Sequence, residues 1–207
     1  MILCNIFYCC AIIPAAMVGV MAEIEKQADN DELVVRARTE ADALGQLYEI
    51  YYERIYRFCL HRLFNKETAE DVTSVVFLQV ARQISRFTGQ TEADFRNWLY
   101  RIAANQANAY IRKTSRRKQL LTQAANSTPN SARHDDSKEL NWPRLYKAIL
   151  KLSASHQTIV TLRFFENLQY EQIAKIINAR EATVRVTLHR ILEKLRRHLQ
   201  AITDGEA

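Results

Sequence analysis

Glycine and proline are scarce in this chain of 207 residues, numbering four and three. Few tight turns are available, so helices should dominate and an all-α fold is expected. Cysteine is present but unpatterned. Cys4, Cys9 and Cys10 lie near the start, and Cys59 falls in an apolar helical pattern, where it reads as a core residue. There is no CxxC pair, so neither a zinc signature nor a disulfide framework is indicated. The five histidines show no HExxH or comparable ligand spacing. GxGxxG and GxxxxGK(S/T) are both missing, so no nucleotide-binding enzyme site is visible. No catalytic residue, metal, cofactor or small-molecule substrate is expected.

Positive charge is in excess. The net charge is +6 and the isoelectric point is near 9.2, which favours a polyanionic partner such as nucleic acid. Charge alone is weak evidence, because many basic proteins bind none.

Tyr170–His198 is the most informative segment. Two helical patterns flank a three-residue turn, and the second is basic and amphipathic, the layout of a DNA-reading helix-turn-helix. Ile173 and Ile177 share a face of the first helix. Ala174 lies between them, where two steeply crossed helices need a small side chain. Asn178 sits at the turn and tolerates the left-handed conformation. Val184, Leu188, Ile191 and Leu195 form a buried stripe. Arg185, His189 and Arg196 lie along another side, and Thr183, Thr187 and Arg190 also point away from the stripe. A generic basic helical hairpin is the alternative.

The first module spans 31–119. Leu44, Leu47, Tyr48, Tyr51, Ile55 and Phe58 define its first buried face. Thr68–Asp71 resembles a capping box, with Asp in place of Glu. The helix that follows carries Val72, Val75, Val76, Phe77, Leu78 and Val80 over more than one face, which suits a central core helix or one docked on another protein. Ser85–Thr91 is a loop whose Gly89 can supply an unusual backbone angle. Thr91–Asp94 is a second capping-box signal. Phe95, Trp98, Leu99, Ile102 and Tyr110 then form an apolar face. Arg101, Asn105, Asn108, Arg112 and Arg116 form a polar stripe with no acid in it, and the helix ends in a basic run, 112–118. Such a stripe is commonly a solvated face with a basic end that suits the helix dipole. Asn joined to Arg can also read bases and phosphates.

Residues 120–141 are rich in Asn, Ser, Thr and Pro and lack periodicity, as a flexible linker would. Extended, they reach on the order of 70 Å. The second module spans 142–200, with Ser153 as the N-cap of a helix carrying Ile159, Val160, Leu162 and Phe164. Residues 201–207 form a tail. Residues 1–30 are an apolar extension and an acidic lead-in. Met1–Ala22 is long enough for a transmembrane helix, whereas a signal peptide would need a basic residue before Lys26. The favoured expectation is a start annotated too far upstream, with translation from Met17 or Met21 and a cytoplasmic protein. A membrane anchor is the competing one.

Taken in order, AEDVTSVVFLQV (69–80), RNWLYRIAANQANAYIRK (96–113) and the helix-turn-helix resemble a bacterial RNA polymerase sigma factor of the sigma-70 family, extracytoplasmic-function type. The resemblance runs from about Asp31 to Leu199, omitting the linker. It implies a region 2 helical bundle and a region 4 helix-turn-helix. It implies docking of helix 68–84 on the clamp of the polymerase largest subunit through Glu70, Asp71, Val75, Phe77 and Leu78. The −10 promoter element would be engaged by Arg86, Phe87, Thr88, Trp98, Arg101, Asn105, Asn108, Arg112, Lys113, Arg116 and Arg117. The −35 element would be read by Arg180, Glu181, Thr183, Arg185, Thr187, His189 and Arg190. The second module would also touch the polymerase flap, and an anti-sigma protein is an implied partner.

Some positions depart from the family pattern. Val75 stands where an acid is frequent, and Ala104 and Ala109 where Arg and Asp are common. Asn178 replaces the usual Gly, and Arg180 replaces a Ser that would cap the recognition helix. A two-domain transcription regulator acting without core polymerase is the rival reading, but it would carry a ligand or phosphoacceptor domain at 31–119. A membrane-anchored signalling protein using residues 1–22 is a third.

Overall fold

The computed structural model describes residues 28–124 and 142–204, with side chains for 28–116, 145–146 and 148–200. The apolar stretch Met1–Ala22 and most of the expected linker lie outside the described residues. Among the described residues there is no strand, and no helix is long and apolar enough to cross a membrane.

Two helical groups follow one another. The first comprises α1 (28–36), α2 (Ala41–Leu63), α3 (Lys66–Gln83) and α4 (Glu92–Ala124), with a 3-10 turn at Ile84–Arg86. The second comprises α5 (Trp142–Leu150), α6 (Ala154–Val160) running into a π-helical turn (Thr161–Phe165), α7 (Tyr170–Ile177) and α8 (Glu181–Asp204). α4 continues past the expected module end at 119, and α8 continues past 200. No glycine or proline interrupts either sequence there, so nothing stops the helix.

Periodicity decides which faces are buried. On α2, Leu47, Tyr51, Ile55 and Phe58 are buried against Val72, Val76 and Val80 of α3 and Phe95 and Leu99 of α4. Tyr48 lies one step off that stripe and is 44% exposed, contrary to the sequence expectation. Tyr110 is exposed as well, and its hydroxyl lies 3.4 Å from Thr68 Oγ1. α3 begins earlier than the Thr68 capping signal implied. Asn65 is its N-cap, with Oδ1 accepting from Thr68 N at 2.8 Å, because Asn is the stronger cap and comes first.

The second group follows the expected pattern closely. Val184, Leu188, Ile191 and Leu195 of α8 are buried with Leu162, Ile173 and Ile176. Ser153 caps α6 by accepting from His156 N. Asn178 closes α7 in the left-handed conformation, φ 55°, donating its N–H to Ala174 O. α7 and α8 are separated by Asn178, Ala179 and Arg180 alone, the expected three-residue turn.

The two groups pack directly on one another. At the end of α2, Phe64 adopts φ 55°, which costs a non-glycine residue roughly 1–2 kcal/mol. Its ring meets Tyr146 of α5 edge-on at 4.1 Å. Arg62 is 2% exposed between the groups. It donates to Gln157 Oε1 at 2.6 Å, Asn108 Oδ1 at 2.6 Å and Ala154 O at 3.2 Å. Burial pulls its pKa down to about 10, so it stays charged at neutral pH. Tyr100 donates to Glu166 Oε2 at 2.6 Å, and the His61 and Phe165 rings lie 4.2 Å apart.

The Asn65 cap yields a direct test. Asn65→Ala should lower stability by about 1 kcal/mol in urea unfolding while leaving the helical spectrum intact. An unchanged midpoint would place the start of α3 elsewhere.

Candidate nucleic-acid interface

The loop before α4 is built around an aromatic stack. Phe87 and Trp98 lie 4.7 Å apart at an interplanar angle of 26°, with Phe95 edge-on to Phe87 beneath. Both stacked rings are half-buried, so each keeps part of its surface accessible while packing against the core. Gly89 does not serve through its backbone angle, since its φ is not positive. It serves through space: a Cβ there would meet the Phe87 ring, and Asp94 Cβ at 2.6 Å. Thr91 and Asp94 form the reciprocal cap expected at the start of α4. Asp94 N donates to Thr91 Oγ1 at 3.1 Å, and Asp94 Oδ2 accepts from Thr91 N at 3.3 Å and Gln90 N at 3.2 Å. These bonds hold the Asp94 carboxyl below its usual pKa, with the Thr91 side chain the largest cause.

Arg38, in the turn after α1, carries no expectation from the sequence. It donates to Gly89 O and lies 5.9 Å from the centre of the Phe87 ring. Its only sequence signal is an arginine beside an apolar helical face, which does not mark a loop fifty residues on. Tyr51 and Asp31 likewise anchor Glu92, by a hydroxyl bond to its carboxylate and a 2.6 Å bond from its N–H.

The polar stripe on α4 is divided. Asn105, Arg112, Lys113 and Arg116 are exposed. Arg101, although also exposed, and half-buried Asn108 bond to the second helical group or to Arg62 at its edge. Arg101 donates to Lys175 O and to Ile176 O, the latter at 3.1 Å. These are carbonyls of the last turn of α7, where a cation is favoured. Asn108 accepts from Arg62. Arg86 and Thr88 are exposed beside the aromatic stack. The Arg117 side chain lies outside the described residues.

On α3, Glu70, Asp71, Val75 and Leu78 are exposed, the last two by 42% and 50%. Asp71, Val75 and Leu78 follow i, i+4, i+7 and form one face. Phe77 does not belong to it. It is 9% exposed and sits under Tyr48 and Tyr52, with ring centroids 4.8 and 6.2 Å away. Sequence reading had exchanged the two roles: Phe77 is core, and Tyr48 is surface beside the α3 face.

On α8, Thr183, Arg185, Val186, His189 and Arg190 are exposed, as is Arg180 in the turn, while Glu181 and Thr187 are half-buried. Arg185 pairs with Glu181 Oε1 at 2.6 Å and lies 4.8 Å above the Tyr170 ring, which pre-positions it. His189 Nδ1 is 4.0 Å from Glu193. Thr187 sits closer to the core than expected. Val186, not foreseen, is 52% exposed amid this polar face, where an apolar side chain suits a thymine methyl.

The family models described as Sigma-70 region 2 and Sigma-70 region 4 match residues 47–117 and 143–195. The ECF RNA polymerase sigma factor BldN of Streptomyces coelicolor is 34% identical over 181 residues, covering 83% of this chain and 68% of BldN. This chain belongs to the sigma-70 family, ECF type. The ECF RNA polymerase sigma factor SigW of Bacillus subtilis is 30% identical over 173 residues, covering 78% of this sigma factor and 91% of SigW. The solved structure of CnrH in complex with the cytosolic domain of CnrY has the same fold at a TM-score of 0.60 and 17% identity, covering 86% of this chain and 99% of CnrH. The sigma factor RpoE in complex with the anti-sigma factor NepR from Bartonella quintana has it at 0.57 and 18%, covering 75% and 96%.

Two substitutions test this sigma factor's geometry. Gly89→Ala should displace the Phe87 ring, and quenching by added single-stranded DNA of the emission from Trp98 should change while helicity holds. An unchanged response would mean the loop absorbs the methyl. Val186→Ser should weaken −35 binding by roughly 1 kcal/mol at one base pair, measured by anisotropy on a duplex series. Equal losses on every sequence would count against a base contact.

Proposed function

We propose that this sigma factor binds RNA polymerase core, directs it to promoters through −10 and −35 contacts, and helps to melt the −10 region. One juxtaposition carries the reading. The same helical group carries both an exposed α3 face of Asp71, Val75 and Leu78 and a half-buried Phe87–Trp98 stack. The face supplies an apolar docking patch with an acidic margin. The stack supplies a platform for unpaired bases.

Basic residues attract promoter DNA and release counterions. α8 enters the major groove at the −35 element through Arg185, Val186, His189 and Arg190, with Thr183 and Arg180 nearer the backbone. Asn105 approaches the −10 bases, while Arg112, Lys113 and Arg116 hold phosphate. A base stacked or enclosed contributes about 1–3 kcal/mol, and extracting it costs a few kcal/mol. Capture on the aromatic stack therefore balances unpairing, and polymerase supplies the remainder. Phosphodiester synthesis belongs to the polymerase, and both partners place the sigma factor in the cytoplasm. The second helical group also meets the polymerase flap, and an anti-sigma protein is a further partner.

Reconstitution with core polymerase tests this. Leu78→Asp should weaken core binding about tenfold or more, with circular dichroism unchanged. Asn105→Ala with Arg112→Ala should assemble normally but open promoters poorly by permanganate footprinting. Core-independent promoter binding, with no transcription on reconstitution, would favour the regulator reading. Normal opening by the double variant would return the stripe to a solvated surface.

A further inference from the structure

α1 precedes both family matches, the first of which starts at residue 47, yet its segment touches the loop before α4 at two points. Near the start of α1, Asp31 Oδ1 accepts from Glu92 N at 2.6 Å. In the turn that follows the helix, Arg38 donates to Gly89 O. Leu33, Val34 and Ala37 are buried in the core and anchor the segment between those two contacts. The loop is thereby bracketed: the Gly89 carbonyl and the first N–H of α4 are both bonded to the same short stretch of chain.

Arg38 does more than satisfy a carbonyl. Its guanidinium carbon lies 5.9 Å from the centre of the Phe87 ring, within reach of a cation–π attraction. Phe87 is the ring stacked on Trp98, and Gly89 is the residue whose missing Cβ leaves space for that ring. Arg38 therefore holds both the loop backbone and the ring that the loop carries. The ordinary alternative is an arginine that stabilises the fold through an ion pair. Among the described residues no carboxylate pairs with Arg38, and its Nε, shielded from water, has no partner. A guanidinium donor left buried and unbonded costs free energy, so this placement favours loop geometry over stability.

We propose that Arg38, together with Asp31, is a positioning residue for −10 recognition, fixing the loop so that the Phe87–Trp98 stack is preformed for an unpaired base. Neither residue touches the base. A preformed platform loses less conformational freedom on binding than one that must be ordered by its ligand. α1 and its turn are thus part of the base-capturing unit. The base-capturing role of the stack is taken from the function proposed above.

The test uses holoenzyme assembled from the full chain, on promoter DNA already unpaired across the −10 element. In a series of such duplexes, each carries one abasic site in the non-template strand. With wild type, one abasic position should weaken binding on the order of tenfold, the share of one stacked base. Arg38→Met keeps an unbranched apolar stem and removes the cation and its donors. It should bind the intact strand on the order of tenfold more weakly, yet bind that one abasic strand as wild type does. Arg38→Lys keeps a cation and a donor for Gly89 O and should recover most of the loss. Asp31→Ala should reproduce the methionine pattern, and it carries the test if Arg38→Met fails to fold. Affinity for core polymerase and for a −35 duplex should hold in all three. Equal losses on every strand, the abasic one included, would mean a general structural effect and would overturn the proposal. So would wild-type affinity of folded Arg38→Met and Asp31→Ala for the intact strand; either result leaves the base-capture reading standing. If no abasic position matters with wild type, the base-capture reading fails and the proposal fails with it.

Discussion

A buried positive charge with neutral partners governs how the two halves of this protein meet. Arg62 lies in the last turn of α2 and continues the buried stripe of Tyr51, Ile55 and Phe58 on the same face, so the core of the first group runs directly into the contact with the second. Its burial costs several kcal/mol, and each hydrogen bond to a charged group contributes roughly 1.5–3 kcal/mol. The two sums are of similar size. Around it gather further contacts: the Tyr100–Glu166 bond, the tilted His61–Phe165 ring pair and the Phe64–Tyr146 edge contact. Burial cost and hydrogen bonding therefore nearly cancel at this contact.

α4 is shared among these roles. Its N-terminal end is fixed by Tyr51, Asp31 and the Thr91–Asp94 cap, beside the half-buried Phe87–Trp98 stack. Its middle faces the second group through Arg101 and Asn108. Its far end, with Arg112 and Arg116, is open. One helix thus carries an aromatic stack, an intrachain contact and an exposed basic stretch in series, and the proposed function gives the first to bases and the last to phosphate.

Local features were legible in the sequence because they obey short rules. The α8 stripe Val184–Leu195, the left-handed Asn178, the Ser153 cap and the Thr91–Asp94 box each depend on residues within a few positions of one another. The all-α class and the two groups followed from the same periodicities. Misreadings came where neighbouring positions compete. Asn65 outranked Thr68 as a cap, and a step of one residue put Tyr48 outside and Phe77 inside. Arg38 over Phe87, and Arg62 against Gln157, bridge distant segments and follow no period. The stripe on α4 was visible as a stripe, but its division between solvent and the second group is a tertiary fact.

The most direct test follows the distance between the halves. Spin labels at exposed Glu53 on α2 and Ser155 on α6 would report it, with Cys4, Cys9 and Cys10 changed to serine and Cys59 protected by burial. Electron–electron resonance should give one short separation in the free sigma factor and a much longer one in holoenzyme on promoter DNA. The same short separation in both would contradict the account.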